Sequence, residues 1–325
     1  MTQPPRPAPH RNVGSRTLGQ HGAVFFIYAL LIVVFGIACA LSPVFRQPDN
    51  LISVLRQSIV VGLVTIGQTY VLIGGGIDMS VGMTARVVAL GTAVTMSTTT
   101  LPPALIIVLG LAAGGLVGLV NGFVITRVGA APFIVTLGML ATLQGVSLAI
   151  SGGGPTAAVP DFFLTVYDSM LGPIPTSVLV MAVVWLAAWL VLRQTSFGRA
   201  VFAVGGSTSI AHMAAINVRN TQTRTYVIAG VLASAAGMFL LARSGVGDPS
   251  VGGGLEFQSI VAAAIGGISL YGGRGSILGA FGAVLLVSLS SNVMNMLQVS
   301  GYYQDLALGV IVLLGVAVYR PGVAR

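Results

Sequence analysis

Only 7% of the side chains in this sequence are charged, while 55% are hydrophobic. A water-soluble domain carries about 25% charged residues, so a surface that tolerates water cannot be assembled from this inventory. The mean hydropathy of +0.96 points the same way. Lipid is the remaining solvent. There every backbone amide must be satisfied within the protein, which restricts spanning structures to helices and closed barrels. Apolar runs recur that reach the ~20 residues a helix needs to cross a hydrocarbon core ~30 Å thick. The expected fold class is an all-α integral membrane protein.

The few charges exclude chemistry as well. All fifteen basic residues are arginine, because the chain has no lysine. A P-loop grips phosphate with lysine, so this chain is not its own P-loop ATPase, and Schiff-base and lysine-base mechanisms go with it. The single cysteine, Cys39, precludes internal disulfides and thiolate clusters. His10, His21 and His212 form no H-E-x-x-H zinc motif. No catalytic constellation is visible, and no metal or cofactor is expected in this chain. A net charge of +8 would suggest nucleic acid in a soluble protein. In a membrane protein it instead sets arginines against anionic headgroups, so membrane lipid is the expected partner and nucleic acid is not.

Residues 1–21 are proline-rich and basic, without apolar periodicity, and read as a disordered cytoplasmic tail. The apolar run at 22–42 exceeds the ~7–15 residues of a signal-peptide core and reads as a retained helix. Further spans at 51–75, 80–97, 103–125, 133–150, 176–193, 226–243, 257–270, 276–297 and 303–319 bring the expectation to about ten transmembrane helices. The transmembrane domain then covers 22–320, with a cytoplasmic loop at 194–225 and a short cytoplasmic tail at 321–325. With the N-terminus inside, eleven arginines face the cytoplasm and only Arg46, Arg56 and Arg243 face outward, Arg86 lying within a span. That split places both termini in the cytoplasm. Six of the seven acidic residues, Glu256 among them, sort to the outside, and only Asp78 does not.

Two loops are long. The outer one, 151–175, mixes glycine, proline and aromatics as a structured external cap does. Within the inner one, TSIAHMAAI (208–216) has the pattern of a short amphipathic helix: Thr208 or Ser209 as N-cap, with Ile210, Met213 and Ala214 on one face. There is also an internal echo. Ile73-Gly-Gly-Gly-Ile77-Asp-Met resembles Ile265-Gly-Gly-Ile268-Ser-Leu, and each precedes a glycine-rich span. Duplicated halves are common in transporters.

Polar groups inside spans are sparse, and each faces a cavity or a partner helix. The densest cluster is GGGIDMSVGMTAR, 74–86. Three consecutive glycines break a helix and free backbone groups that are tolerable only when buried or lining water. Asp78 and Ser80 then either cap the next helix or hold a substrate hydroxyl. Arg86 is costly one or two turns into a span, ~2.5–3.5 kcal/mol on insertion scales, unless it snorkels or pairs, with Asp78 two helical turns away. Gln68, Asn121, Gln144, Asn292 and Asn295 are neutral hydrogen-bonding groups suited either to a path for a polyhydroxylated solute or to interhelical bonds.

Four blocks carry a resemblance: GQTYVLIGGGIDMSVG, NGFVITRVGAAPFIVTLGMLATLQGVSLAISGG, GRAVFAVGG with AAINV, and IVAAAIGGISLYGGRGSILGAFGAVLL. In this order they resemble the permease subunits of bacterial ABC sugar importers of the ribose/xylose/arabinose group, over about residues 22–320. The resemblance implies a multi-pass inner-membrane permease that pairs with a second permease copy or paralogue. It also implies two cytoplasmic ABC ATPase domains, which bind ATP and Mg, and a periplasmic or lipid-anchored sugar-binding protein. The family's coupling segment corresponds to Gly205–Asn217, which makes Gly205, Ser209, Ile210, His212, Met213, Ala214 and Ile216 candidates for ATPase coupling. Family members commonly have an acidic residue at Ser209, arginine at His212, glycine at Ala215 and an apolar or small residue at Arg86. The neighbouring readings are the same machinery carrying branched-chain amino acids or nucleosides, and an ATP-independent facilitator.

Overall fold

The computed structural model describes residues 14–156, 159, 161–304, 306, 309 and 310. Helices dominate, as a lipid solvent requires. They are α1 (Gly14–Leu41), α2 (Pro48–Ile73), α3 (Val81–Thr98), α4 (Pro103–Phe123, continued by a π turn, Val124–Val128), α5 (Pro132–Ser151) and α6 (Asp161–Asp168). After them come α7 (Thr176–Gln194), α8 (Ser196–Gly206), α9 (Thr208–Met213), α10 (Val218–Ser244), α11 (Leu255–Ile265) and α12 (Ile277–Met296). The strands β1 (Met170–Leu171) and β2 (Ile174–Pro175) form one antiparallel hairpin.

Helix α2 is the axis. It is apolar on nearly every face, and such a helix must be covered all round; every residue from Ser58 to Ile73 is buried. Helices α7, α10, α11 and α12 pack against it. On the far side of α10 lie α4 and α3, with α5 against α3, while α1 runs along α12. The α4–α10 contact depends on small residues: a Cβ added at Gly114 would overlap Ser234 and the carbonyl of Gly230, and one at Gly118 would overlap the backbone of Tyr226. Small side chains let membrane helices approach this closely.

Among the described residues seven helices are long and apolar enough to cross a membrane: α1, α2, α4 with its π turn, α5, α7, α10 and α12. The other expected spans differ for physical reasons. α3 has 18 residues, but Arg86, Thr84, Thr92, Thr95 and Ser97 dilute its apolar character. The run at 257–270 is not one helix: α11 has 11 residues, about 16 Å at 1.5 Å per residue, and ends where Gly267 turns to φ +85°. Most of the span expected at 303–319, and the tail at 321–325, lie outside the described residues. At the other end, α1 begins at Gly14, within the expected tail of 1–21, because backbone hydrogen bonding continues past the apolar run; residues 1–13 lie outside the described residues.

The two ends of the bundle differ in charge. The end bearing α8 and α9 collects the last turns of α4 and α7 and the first turns of α10 and α12. With them come Arg127, Arg193, Arg199, Arg219, Arg224 and Arg274. The opposite end carries Arg46, Arg56 and Arg243 with Asp49, Asp168 and Asp248. There the 151–175 segment folds as a cap. Thr156 and Val159 donate backbone N–H bonds to the carbonyls of Gly247 (2.6 Å) and Gly245 (3.0 Å), and Phe163 and Tyr167 of α6 are buried with Val88, Met238 and Leu241. Arg56 reaches Asp168 at 3.0 Å, the one ion pair among the described residues.

Candidate functional site

The three glycines end α2 as their composition requires. Gly75 adopts φ +82°, open to a residue without Cβ, and the Gly76 N–H bonds back to Val71 (2.9 Å). The echo at α11 closes in the same way: Gly267 adopts φ +85° and the Ile268 N–H bonds to Ala263 (3.0 Å). In the first segment Asp78 Oδ1 accepts from the N–H of Ser80 (2.8 Å); in the second, Ser269 Oγ accepts from the N–H of Tyr271 (3.2 Å). The two turns thus share both their helix ending and their side-chain-to-backbone bond, and they meet, the Gly273 N–H donating to the carbonyl of Ile73 at 2.9 Å.

Residues 74–80 are irregular backbone, buried in the bundle except at exposed Gly75 and half-buried Ile77, so their polar groups must find partners. Asp78, Ser80 and Asn121 form a buried chain of bonds. The Ser80 hydroxyl donates to Asp78 Oδ1 (2.6 Å), and Asn121 Nδ2 donates to the Ser80 hydroxyl oxygen (2.9 Å). Asp78 thereby holds a turn one residue ahead of α3 rather than bonding an amide inside its first turn. Tyr226 of α10 donates to the Ile77 carbonyl (3.4 Å), as does Thr136 of α5 (3.4 Å), and Gln222 donates to the Gly74 carbonyl (3.4 Å). Three helices, α4, α5 and α10, therefore clamp this one segment.

Other polar groups remain unpartnered. Both amide atoms of Gln68 are buried without a hydrogen-bond partner, as are Thr65 Oγ1 one turn earlier, Asn121 Oδ1 and Glu256 Oε2. Such groups cost ~1–3 kcal/mol each unless water or a ligand serves them. Glu256, sorted with the outer acidic residues, lies at the end of the bundle opposite the arginine-rich one and is buried there in the first turn of α11, against Gly82. A carboxylate opening an apolar run straight after Gly252-Gly253-Gly254 is the sequence signal for it. Arg86 does not pair with Asp78. Its Nε donates to the Val251 carbonyl at 2.9 Å, and the carboxylates whose field it feels are Glu256 and Asp248.

The arginine-rich end carries the second candidate region. Ser207, not Thr208 or Ser209, is the N-cap of α9, its Oγ accepting from the N–H of Ile210 (3.3 Å). Ala211 anchors the helix, being 1% exposed, while Ile210 and Met213 stand out at 65% and 78%. Ser209, His212 and Ala214 are exposed too, and Ile216 is half-buried. The helix closes with the Ile216 N–H on the Ala211 carbonyl (3.0 Å) and Ala215 at φ +59°, a left-handed conformation. Gly205 sits where α8, the end of α2 and the 266–276 turn touch: a Cβ there would overlap the Ile73 carbonyl oxygen and lie 2.6 Å from the Gly273 nitrogen.

The family model described as branched-chain amino acid transport system / permease component matches residues 50–316. The chain belongs to this permease family. Among the relatives of this permease is the ribose import permease protein RbsC of Bacillus subtilis (strain 168), 35% identical over 305 residues, 92% of either chain. The protein of that name from Escherichia coli (strain K12) is 35% identical over 294 residues, 89% of this chain and 91% of its own. The D-allose transport system permease protein AlsC of Escherichia coli (strain K12) is 32% identical over 297 residues, 91% and 90%. No solved structure matches the chain. The permease is thus a multi-pass protein of the bacterial inner membrane, and its relatives are named as permeases rather than enzymes.

Three of the polar groups expected along a path through the permease lie away from the Asp78 cluster. Gln144 is on an exposed face of α5. Asn292 and Asn50 exchange amide bonds of 3.0 and 3.3 Å, a clasp between α12 and α2. Asn295 is exposed and accepts from Gln304 (2.7 Å). Among the described residues no group of histidine, cysteine and acidic side chains could hold a metal ion.

Proposed function

We propose that this permease is the transmembrane subunit of an ABC importer that moves a monosaccharide or related polyol across the inner membrane. The observation that carries the reading is the likeness, over about nine-tenths of the chain, to permeases named for ribose and D-allose. The absence of lysine agrees, since a P-loop motor must then be supplied by separate ATPase subunits. A second permease copy or paralogue and a periplasmic or lipid-anchored solute-binding protein complete the assembly.

In this reading the solute passes beside α2, where Thr65, Gln68 and Asn121 keep unpartnered polar atoms inside an otherwise apolar bundle. Neutral amides and hydroxyls suit a polyol, which needs hydrogen bonds and no counter-charge. Asp78 and Ser80 hold the backbone that shapes this region, and Arg86 and Glu256 mark its opposite end. The ATPase docks on α9 through Ile210 and Met213, flanked by Ser209 and His212. Its motion reaches α2 and the 266–276 turn through Gly205. The arginine-rich end is cytoplasmic, in line with the positive-inside rule.

The test is ATP hydrolysis by the permease reconstituted with its co-purifying ATPase and a panel of solute-binding proteins, each with and without sugar. Stimulation by one sugar-loaded protein is expected. The family description favours a second reading, branched-chain amino acids; stimulation only by a leucine- or valine-loaded protein would establish it. Sugar equilibration by liposomes holding this chain alone would instead make it a facilitator.

A further inference from the structure

Three arginines ring one cleft at the α8–α9 end, and among the described residues no acidic side chain lines it. Arg193 closes α7, Arg199 opens α8 and Arg274 stands just before α12. With Trp189 they border a cavity of about 480 Å³ whose other walls include Val24, Phe202 and Leu278. All three arginines are exposed, and the one ion pair among the described residues is at the other end of the bundle. Like charges gathered without a counter-charge repel one another, so the cleft is arranged for an anion.

Two further features have the same sign. Ser276 and Ile277 also line the cleft, so the first turn of α12, a helix of 20 residues, opens into it. Its free N–H groups and positive dipole end favour a negative group there. The Arg193 guanidinium lies 5.9 Å from the centre of the Trp189 ring, and indole is a side chain that settles at headgroup depth.

Depth separates a lipid from a protein partner. The cleft is level with three membrane boundaries at once: the apolar window of α1 begins at Val24, that of α12 begins at Ile277, and α7 ends at Gln194. Beside it, Phe25 is 77% exposed and Leu278 47%, an apolar lead away from the arginines. The exposed apolar side chains offered to a protein partner at this end, Ile210 and Met213, are on α9 and do not line the cleft.

We propose that this cleft binds the phosphate headgroup of one anionic glycerophospholipid, of the phosphatidylglycerol or cardiolipin kind, its acyl chains running along the apolar faces of α1 and α12. The lipid ties the α7–α8 turn to the segment before α12, and Gly273 of that segment meets Gly205, at the far end of α8, beside the end of α2.

The chain has two tryptophans, so Trp185→Phe leaves Trp189 as the sole reporter. Reconstituted in phosphatidylcholine vesicles, this full-length variant is titrated with phosphatidylglycerol brominated on its acyl chains, and in parallel with brominated phosphatidylcholine. Phosphatidylglycerol is expected to quench Trp189 at a several-fold lower mole fraction. Arg193→Gln, Arg199→Gln and Arg274→Gln are each expected to weaken that preference by roughly two- to fivefold. Native mass spectrometry of the unsubstituted chain, which should retain phosphatidylglycerol over phosphatidylcholine, covers the case that a variant fails to insert. Equal quenching by the two lipids, or a preference untouched by the arginine changes, overturns the proposal. So does loss of the preference on adding inorganic phosphate, which marks a free-anion site, or on adding the ATPase subunits, which marks a protein interface.

Discussion

Adjacent glycines at the end of α8 make opposite predictions. At Gly205 an added methyl would overlap the Ile73 carbonyl oxygen and lie 2.6 Å from the Gly273 nitrogen. Both obstacles are backbone, so no side-chain rotation relieves them. The 2.9 Å bond from Gly273 to Ile73 lies directly in the way. Gly205→Ala therefore carries an overpacking cost of ~1–3 kcal/mol and loses a buried hydrogen bond worth about 1 kcal/mol. Alanine's better helix propensity returns at most ~1 kcal/mol. The net is a destabilisation of roughly 1–3 kcal/mol. Gly206 has no atom within 4 Å of the corresponding position, so Gly206→Ala is neutral or up to ~1 kcal/mol stabilising. Thermal unfolding of both variants in one detergent, against wild type, measures the contrast. Solute-stimulated ATP hydrolysis by the reconstituted complex then asks whether the seam also transmits motion, with Gly205→Ala low and Gly206→Ala near wild type. Equal melting temperatures for the two variants would refute the packing argument outright.

Other outcomes follow from single contacts. Ala215→Gly relieves a left-handed residue, so the melting temperature should rise, by up to about 1 kcal/mol of stability; a fall would show the φ +59° conformation to be cost-free. Asn121→Ala removes the donor to Ser80 and should destabilise by ~1–3 kcal/mol, whereas Asp78→Asn keeps the Oδ1 acceptor and should be the milder change; the reverse order of melting temperatures counts against the turn described here. Met213→Asp charges an exposed tip, leaving expression and melting intact while lowering solute-stimulated ATPase activity severalfold; normal uptake removes α9 from the coupling. In the 245–254 loop, the backbone N–H and hydroxyl of Ser250 hold the Asp248 carboxyl below the usual aspartate range. That contribution is present above the unfolded aspartate pKa of about 3.9 and is lost as pH falls through the lowered folded value. Proteolysis of the loop by an acid-active protease should therefore accelerate below that pH in wild type, and Asp248→Asn should flatten the profile.

What could be read from the sequence was local chemistry. The glycine run at 74–76 broke a helix, Asp78 and Ser80 stood together, and the echo at 265–270 proved to share a backbone turn as well as residues. What could not be read was pairing across the chain. Asn292 suited either a solute path or an interhelical bond, and the partner it bonds, Asn50, lies 242 positions away. Arg86 found a carbonyl 165 positions away rather than the aspartate two turns back. For Glu256 the side was legible but the burial was not: it opens α11 after a glycine loop and packs against Gly82. Span counting failed at α11 because hydropathy does not register a helix end made by a glycine at φ +85°.

The one ion pair among the described residues has a practical corollary. Arg56 and Asp168 are joined where Asp168's side chain is 66% exposed, and such surface pairs contribute ~0–1 kcal/mol at low salt and less at high salt. The rest of the described bundle is held by apolar packing, amide clasps and backbone bonds, which ions barely screen. Its melting temperature should therefore stay nearly constant from millimolar to half-molar sodium chloride. Ionic strength then becomes a selective knob: any salt dependence of transport would originate where the arginine-rich end meets something else.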